Sequence, residues 1–323
     1  MGQRCNLVIT TGTTYELYYS HWRANTLDAD LFWGPDPALA FVRRQRSVAE
    51  GAAWLDTGWA EGGAVIDPDR RRLCWWGGDV VCDVDLRRLL LARMAQTWAG
   101  WEVRWASRGI FDLAEYVGEP SSTVRGPEPE AREPRLEPPD QPDWVDCVLS
   151  VRHADGRLRF FQLAHSVRDQ LWDCAGVVHG AEKLGGVASC DLRSLREPLQ
   201  GGAHLDVASR TATWWSARHE PWSELLASRN EGWTMNWVQD RYEVHPALAG
   251  PQLVLPDPAL RDLEGTLRSI LLRPETDHSD VVPALVAARP GHTVEVNPFA
   301  LRDDPPTLTV EERTRRWELL SRG

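Results

Sequence analysis

Lysine is almost missing from this chain: of 36 basic residues only Lys183 is a lysine, while Ala, Arg, Gly, Pro and Trp are plentiful. That usage points to coding from a GC-rich, bacterial genome. No apolar run approaches the roughly 20 residues needed to cross a bilayer. Residues 1–6 lack the apolar region of a signal peptide and place Asn6 where a myristoylation motif requires Ser or Thr. A cytoplasmic protein with no membrane partner is expected. The formal charge of -11 opposes nonspecific attraction to nucleic acid, so no nucleic-acid partner is expected either.

Catalytic signatures are missing as well. There is no Walker phosphate loop, no G-x-G-x-x-G after a strand, no G-x-S-x-G elbow and no H-E-x-x-H. None of the six cysteines forms a C-x-x-C pair, and Cys5 and Cys147 each enter an apolar run, as small core residues in a reducing compartment do. Loss of the initiator would expose Gly2 and leave Cys5 internal, which removes it as an N-terminal nucleophile. No cofactor is expected.

What is present is a pattern that returns. Gly62-Gly63-Ala64-Val65-Ile66-Asp67, followed by Arg71 and Trp75-Trp76, recurs 139 residues later as Gly201-Gly202-Ala203-His204-Leu205-Asp206, Arg210 and Trp214-Trp215. Cys5 matches Cys147 at an offset of 142, and Trp101, Val103 and Trp105 match Trp233, Met235 and Trp237 at 132. Offsets that change only between elements are what duplication with loop or helix deletions leaves behind. The expected fold is α+β: two tandem pseudo-symmetric repeats packed together, each running β-hairpin, helix, β-hairpin, helix, strand, with a helical C-terminal extension. The expected domains are residues 1–118, a linker at 119–143, residues 144–250, and the extension 251–323.

Local chemistry supplies the elements. Residues 6–10 and 14–20 read as a hairpin, and 148–151 with 158–161 form its counterpart around the turn-forming Asp155-Gly156. Pro35-Asp36-Pro37 opens a helix to about residue 48, with a counterpart near 176–185. In the 62–77 hairpin, Asp67-Pro68-Asp69-Arg70 makes the turn. Leu86, Leu89, Leu90 and Met94 mark a helix over 84–97. The last strand of each repeat alternates apolar and polar residues and is expected to be half exposed. Residues 119–143 hold seven prolines and seven acidic residues with no apolar period, and read as an extended or disordered linker with little to bury. Helices are expected at 258–272, 280–288 and 309–321, packing on the second repeat.

Candidate site residues follow from the asymmetry of the repeats. Three D-x-D pairs lie in the first: Asp28 with Asp30, Asp67 with Asp69, and Asp83 with Asp85. Paired carboxylates can hold a divalent cation, yet each pair also reads as loop, turn or helix cap, and no metal is expected. His21 stands seven residues before Asp28, where a His–carboxylate acid–base pair is conceivable. Neighbouring strand residues face opposite sides, so Trp76 and Trp215 point away from the helix-covered face and line either an inter-repeat contact or a ligand cleft. With Asp206 as the acidic residue kept in the second copy, the candidate binding set is His21, Asp28, Asp30, Asp67, Trp76, Asp206 and Trp215. The expected function is a non-enzymatic bacterial binding or regulatory protein of the interaction, defence or immunity type, with a protein or small-molecule partner not identified by the residues. The alternative is a small-molecule enzyme with an acid–base site in a cleft between the repeats.

Overall fold

The computed structural model describes residues 3–48, 54–141, 144–274, 283–284, 287–288 and 307–321. It is a mixed α+β structure with two main sheets, in two compact units. The first unit comprises Met1–Val80, Arg88–Pro127 and Glu264–Gly323; the second comprises Val81–Arg87 and Glu128–Leu263.

In the first unit, β1 (Cys5–Thr11) is buried on both faces up to its last residue. It turns through Gly12, whose φ of 61° suits a two-residue hairpin loop, into β2 (Thr14–Ser20). After α1 (Leu27–Leu31), α2 (Pro35–Arg44) starts with Pro in its first turn, where a missing N–H costs no helical bond. This helix stops short of residue 48, because Gln45 turns extended and releases β3 (Arg46–Val48) to pair with β2. Next come β4 (Gly62–Asp67), β5 (Arg72–Trp76), α3 (Val84–Thr97), β6 (Glu102–Trp105) and α4 (Ile110–Tyr116). The sheet order is β3-β2-β1-β4-β5-β6, with β1–β4 and β5–β6 parallel and the other pairs antiparallel. The unit boundary falls inside α3, after Arg87.

The sequence pattern shows no helix on the Trp76 face, and the structure corrects this. Ile110, Phe111, Leu113 and Ala114 put an apolar stripe on α4, which packs with Val8, Val65 and Trp76 in one buried cluster. Trp76 is therefore a core residue of its own unit. At seven residues α4 is too short for its period to stand out from the surrounding loop.

The second unit contains β7 (Cys147–Arg152), β8 (Leu158–Leu163), α5 (Val167–Gln170), α6 (Cys174–Leu184) and β9 (Cys190–Asp191). They are followed by β10 (Gly201–Asp206), β11 (Thr211–Ser216), α7 (Ser223–Arg229), β12 (Thr234–Trp237), α8 (Val244–Ala249) and β13 (Leu253–Val254). Its main sheet runs β8-β7-β10-β11-β12, with β7–β10 and β11–β12 parallel. Beside it β9 and β13 form a two-stranded parallel pair. Trp215 is buried in a cluster with Val148, Leu199, Ala249 and Leu253, so this face too is filled from within its unit.

The linker and tail also depart from expectation. Val124 is fully buried in the first unit's core and Leu136 is buried in the second's, so the acidic stretch is anchored at two apolar points. Backbone bonds add to this: Thr57 N–H reaches Val124 O at 3.0 Å, and Arg135 N–H reaches Gln170 Oε1 at 2.8 Å. In the tail, a 3-10 turn at Pro258–Leu260 precedes α9 (Leu263–Leu271), and α10 (Val310–Leu320) begins with a capping box of Thr309 and Glu312. From Glu264 onward the tail belongs to the first unit, not the second. The decisive contacts are Trp317, buried with its ring 6.2 Å from that of Phe32, and Arg316, which donates to Trp33 O. The helix expected at 280–288 lies mostly outside the described residues.

Candidate functional site

The polar residues expected to form a site in the first unit are each taken up by local structure. His21, 6% exposed, has Nδ1 2.8 Å from the Tyr19 hydroxyl and packs edge-on to Trp22. Asp28 is fully buried, and its carboxylate accepts N–H groups from Ala29 at 2.8 Å, Asp79 at 2.7 Å and Val80 at 3.4 Å. The carboxylate sits so close to Gly78 that a methyl group there would lie 2.4 Å from it, so this approach requires glycine. Burial raises the Asp28 carboxyl to about 7, and the Asp79 charge adds to the effect. Asp30 accepts a hydrogen bond from Thr26 Oγ1 at 2.8 Å and lies 4.0 Å from Arg23.

Asp67 and Asp206 hold hairpin turns. Asp67 Oδ1 accepts the Arg70 N–H at 2.9 Å, and Asp206 Oδ1 accepts the Ser209 N–H at 3.0 Å. Burial pushes the Asp67 carboxyl up, but hydrogen bonds from Arg70 and Tyr116 outweigh it and leave the group below its ordinary value. The Ser209 N–H is the main cause of the lowered Asp206 carboxyl. Trp76 and Trp215 pair with Gly63 and Gly202 across their hairpins, and a methyl group on either glycine would fall within 2.7 Å of the indole.

A surface hollow lies in the second unit instead, about 360 Å³ when the open solvent at its mouth is included. Trp215, Leu199, Val84 and Leu255 form an apolar wall; Asp83, Asp85, Tyr242 and Arg261 supply the polar groups. Asp83 caps the start of α3 through Leu86 N–H at 3.1 Å. Its carboxylate takes two hydrogen bonds from Arg261, whose guanidinium also lies 3.6 Å from Asp85. The Tyr242 hydroxyl donates to Asp85 Oδ1 at 2.7 Å. Beneath this segment Arg87 is fully buried, donating to Ala217 O at 2.8 Å and to Asp240 at 2.9 Å. The third D-x-D pair, Asp83 with Asp85, thus works in the second unit. Among the described residues no group of three or more His, Cys, Asp or Glu is arranged to hold a metal.

Known proteins offer no guide. The chain matches no family model, no curated protein and no solved structure. No helix among the described residues is long and apolar enough to cross a membrane.

Sequence reasoning missed a buried polar cluster in the second unit. Ser150 Oγ stands 2.8 Å from both His204 Nδ1 and His245 Nε2. Ser150 and His204 are register partners on β7 and β10, and His245 comes from α8, an element the pattern did not reveal. The available signal was His204 itself, which stands in Gly201–Asp206 where the similar stretch Gly62–Asp67 has Val65. Burial lowers His204 to about 4, with Arg152 adding to the shift, and lowers His245 to about 3.

Proposed function

We propose that this chain is a non-enzymatic bacterial binding or regulatory protein of the interaction, defence or immunity type, built by internal duplication of one α+β unit, with the Asp83–Tyr242–Arg261 hollow as its recognition site. Support for the duplication comes from matched register. Asn6 faces Gly63 and Val8 faces Val65 in the first sheet, while Val148 faces Gly202 and Ser150 faces His204 in the second. Both sheets continue from these parallel pairs into an antiparallel hairpin and a parallel edge strand.

The observation that carries the binding role is the state of the hollow's polar groups. Asp83 and Asp85 share the single guanidinium of Arg261, so the three groups keep a formal charge of about -1, and Asp85 is further held by Tyr242. Paired carboxylates beside an aromatic wall suit recognition of a cationic or amide-bearing group better than proton transfer. A thermal-shift screen of small cationic and amide ligands, run on wild type and on Tyr242→Phe, tests this. A ligand bound at the hollow raises the wild-type midpoint and loses that effect in the variant. If no compound in the screen shifts wild type differently from the variant, the assignment of the hollow fails.

The enzyme alternative draws its support from Asp28 and Glu220, two buried carboxyls that burial raises to about 7, a range suited to acid–base work. Conversion of a stabilising ligand into a new product during the same screen would favour it over the binding role.

A further inference from the structure

The cluster of Ser150, His204 and His245 has an apolar counterpart. In the first unit the corresponding register pair is Val8 and Val65, and Leu113 of α4 takes the place of His245. The match extends to the glycine beneath. A methyl group on Gly63 would lie 2.8 Å from Leu113, and one on Gly202 would lie 2.7 Å from His245 Nδ1. One unit therefore seats its covering helix on aliphatic side chains, and the other seats it on a hydroxyl shared by two imidazoles.

Ser150 is fully buried, His204 is 5% exposed and His245 is 3% exposed, so water does little to solvate charge there. A serine hydroxyl has one proton. It donates to one imidazole lone pair and accepts from the N–H of the other, which gives each neutral ring a partner at the nitrogen facing the hydroxyl and leaves His245 Nδ1 buried without one. A single added proton keeps that pattern. A second proton makes both imidazoles donors, leaves the hydroxyl proton without its acceptor, and puts two cations on rings whose centres are 6.5 Å apart. The surrounding charges do not rescue them. Arg152 on β7 opposes protonation of His204 and Asp206 on β10 favours it, while β11 contributes only Thr211 and Thr213 and α8 contributes no carboxylate.

We propose that this cluster makes the second unit an acid-responsive module: protonation of the two imidazoles breaks the hydroxyl bridge and frees α8 from β7 and β10, while the first unit, with Val8, Val65 and Leu113, stays closed. The sign follows from linkage. Both histidines bind protons more weakly when folded, so their stabilising contribution is present above the ordinary histidine range and is lost as pH falls from about 6.5 toward 4. Each histidine contributes a factor of about ten in the opening constant per pH unit, so the pair contributes about a hundredfold. Two other groups in the unit nearly cancel: burial lowers His219 to about 4, and burial raises Glu220 to about 7.

Hydrogen exchange of the full chain between pH 7 and 5, corrected for intrinsic rates, tests the proposal. Opening constants for peptides in β7, β10 and α8 should rise about a hundredfold per pH unit below 6.5, while those in β1, β4 and α4 should not. The triple variant Ser150→Val, His204→Val, His245→Leu, carrying the first unit's residues, should abolish the rise. Should that variant not fold, His245→Leu alone should reduce the slope to about tenfold per unit, and His219→Gln, which leaves Glu220 to oppose the remaining pair, should reduce it to about tenfold as well. Equal opening of both units, an undiminished slope in His245→Leu, or its disappearance in His219→Gln would each overturn the proposal.

Discussion

Arg71 and Arg210 share a left-handed backbone conformation, with φ of 52° and 49°, each as the last residue before the second strand of its hairpin. Each also offers its carbonyl to the first residue of the edge strand. Arg71 O accepts from Glu102 N–H and Arg210 O from Thr234 N–H, both at 2.8 Å. The conformation is unfavourable for a residue with a Cβ, and it aims that carbonyl at the neighbouring strand.

Replacing either arginine by glycine removes the Cβ clash and keeps the carbonyl. Arg71→Gly and Arg210→Gly should each raise stability by about 0.5–1 kcal/mol in urea unfolding, the relief of strain exceeding glycine's extra unfolded-state entropy. A fall in midpoint for both would show that the side chains, not the backbone, hold these turns.

The buried tryptophans give a second prediction. Trp76 is fully enclosed and Trp215 is 2% exposed, so truncation leaves a large void in either core. Trp76→Ala and Trp215→Ala should each cost about 3–5 kcal/mol. Because Trp215 lines the hollow and Trp76 does not, only Trp215→Ala should also weaken a ligand found there.

Strands were the most legible part of the sequence, because Val, Ile and Trp runs bounded by Asp-Pro or Asp-Gly turns have few other readings. The helix over Leu86–Met94 was equally clear from its period. Short elements were not. Pro246 sits inside α8, and α4 offers under two turns of apolar stripe, so the helices covering Trp76 and Trp215 went unseen. That omission moved the expected site, since an uncovered face invites a cleft. The hollow itself joins Asp83 to Tyr242 and Arg261, residues far apart in the chain, and no local spacing encodes that meeting.

Leu136 tests the correction made to the linker. It is 6% exposed and packs with Val177 and Ala181 of α6, although it lies among seven prolines and seven acidic residues. Leu136→Ala should destabilise the second unit by about 2–3 kcal/mol, whereas Glu130→Gln on the same stretch should have little effect. Equal midpoints for the two variants would return the stretch to the role of a passive connector.

The last prediction concerns Asp28, whose pH dependence opposes that of the second unit's histidines. Burial is the main reason its carboxyl is raised to about 7, and the nearby Asp79 charge adds to it, while the N–H groups of Ala29 and Asp79 pull the other way. Between an ordinary carboxylate value near 3.9 and about 7, the folded protein holds a proton that the unfolded chain releases. The resulting stability is fully present below the unfolded value and is lost as pH rises through about 7, at up to roughly 1.4 kcal/mol per pH unit. Exchange of the Asp79 and Val80 amides, which donate to this carboxylate, should therefore become better protected from pH 8 to pH 5 after correction for intrinsic rates. Asp28→Asn should remove the trend and lower protection throughout, since an amide supplies one acceptor oxygen where the carboxylate uses two. Asp79→Asn, which removes the neighbouring charge and keeps the backbone donor, should shift the midpoint of the trend to lower pH. A trend that survives in Asp28→Asn would assign it to another group.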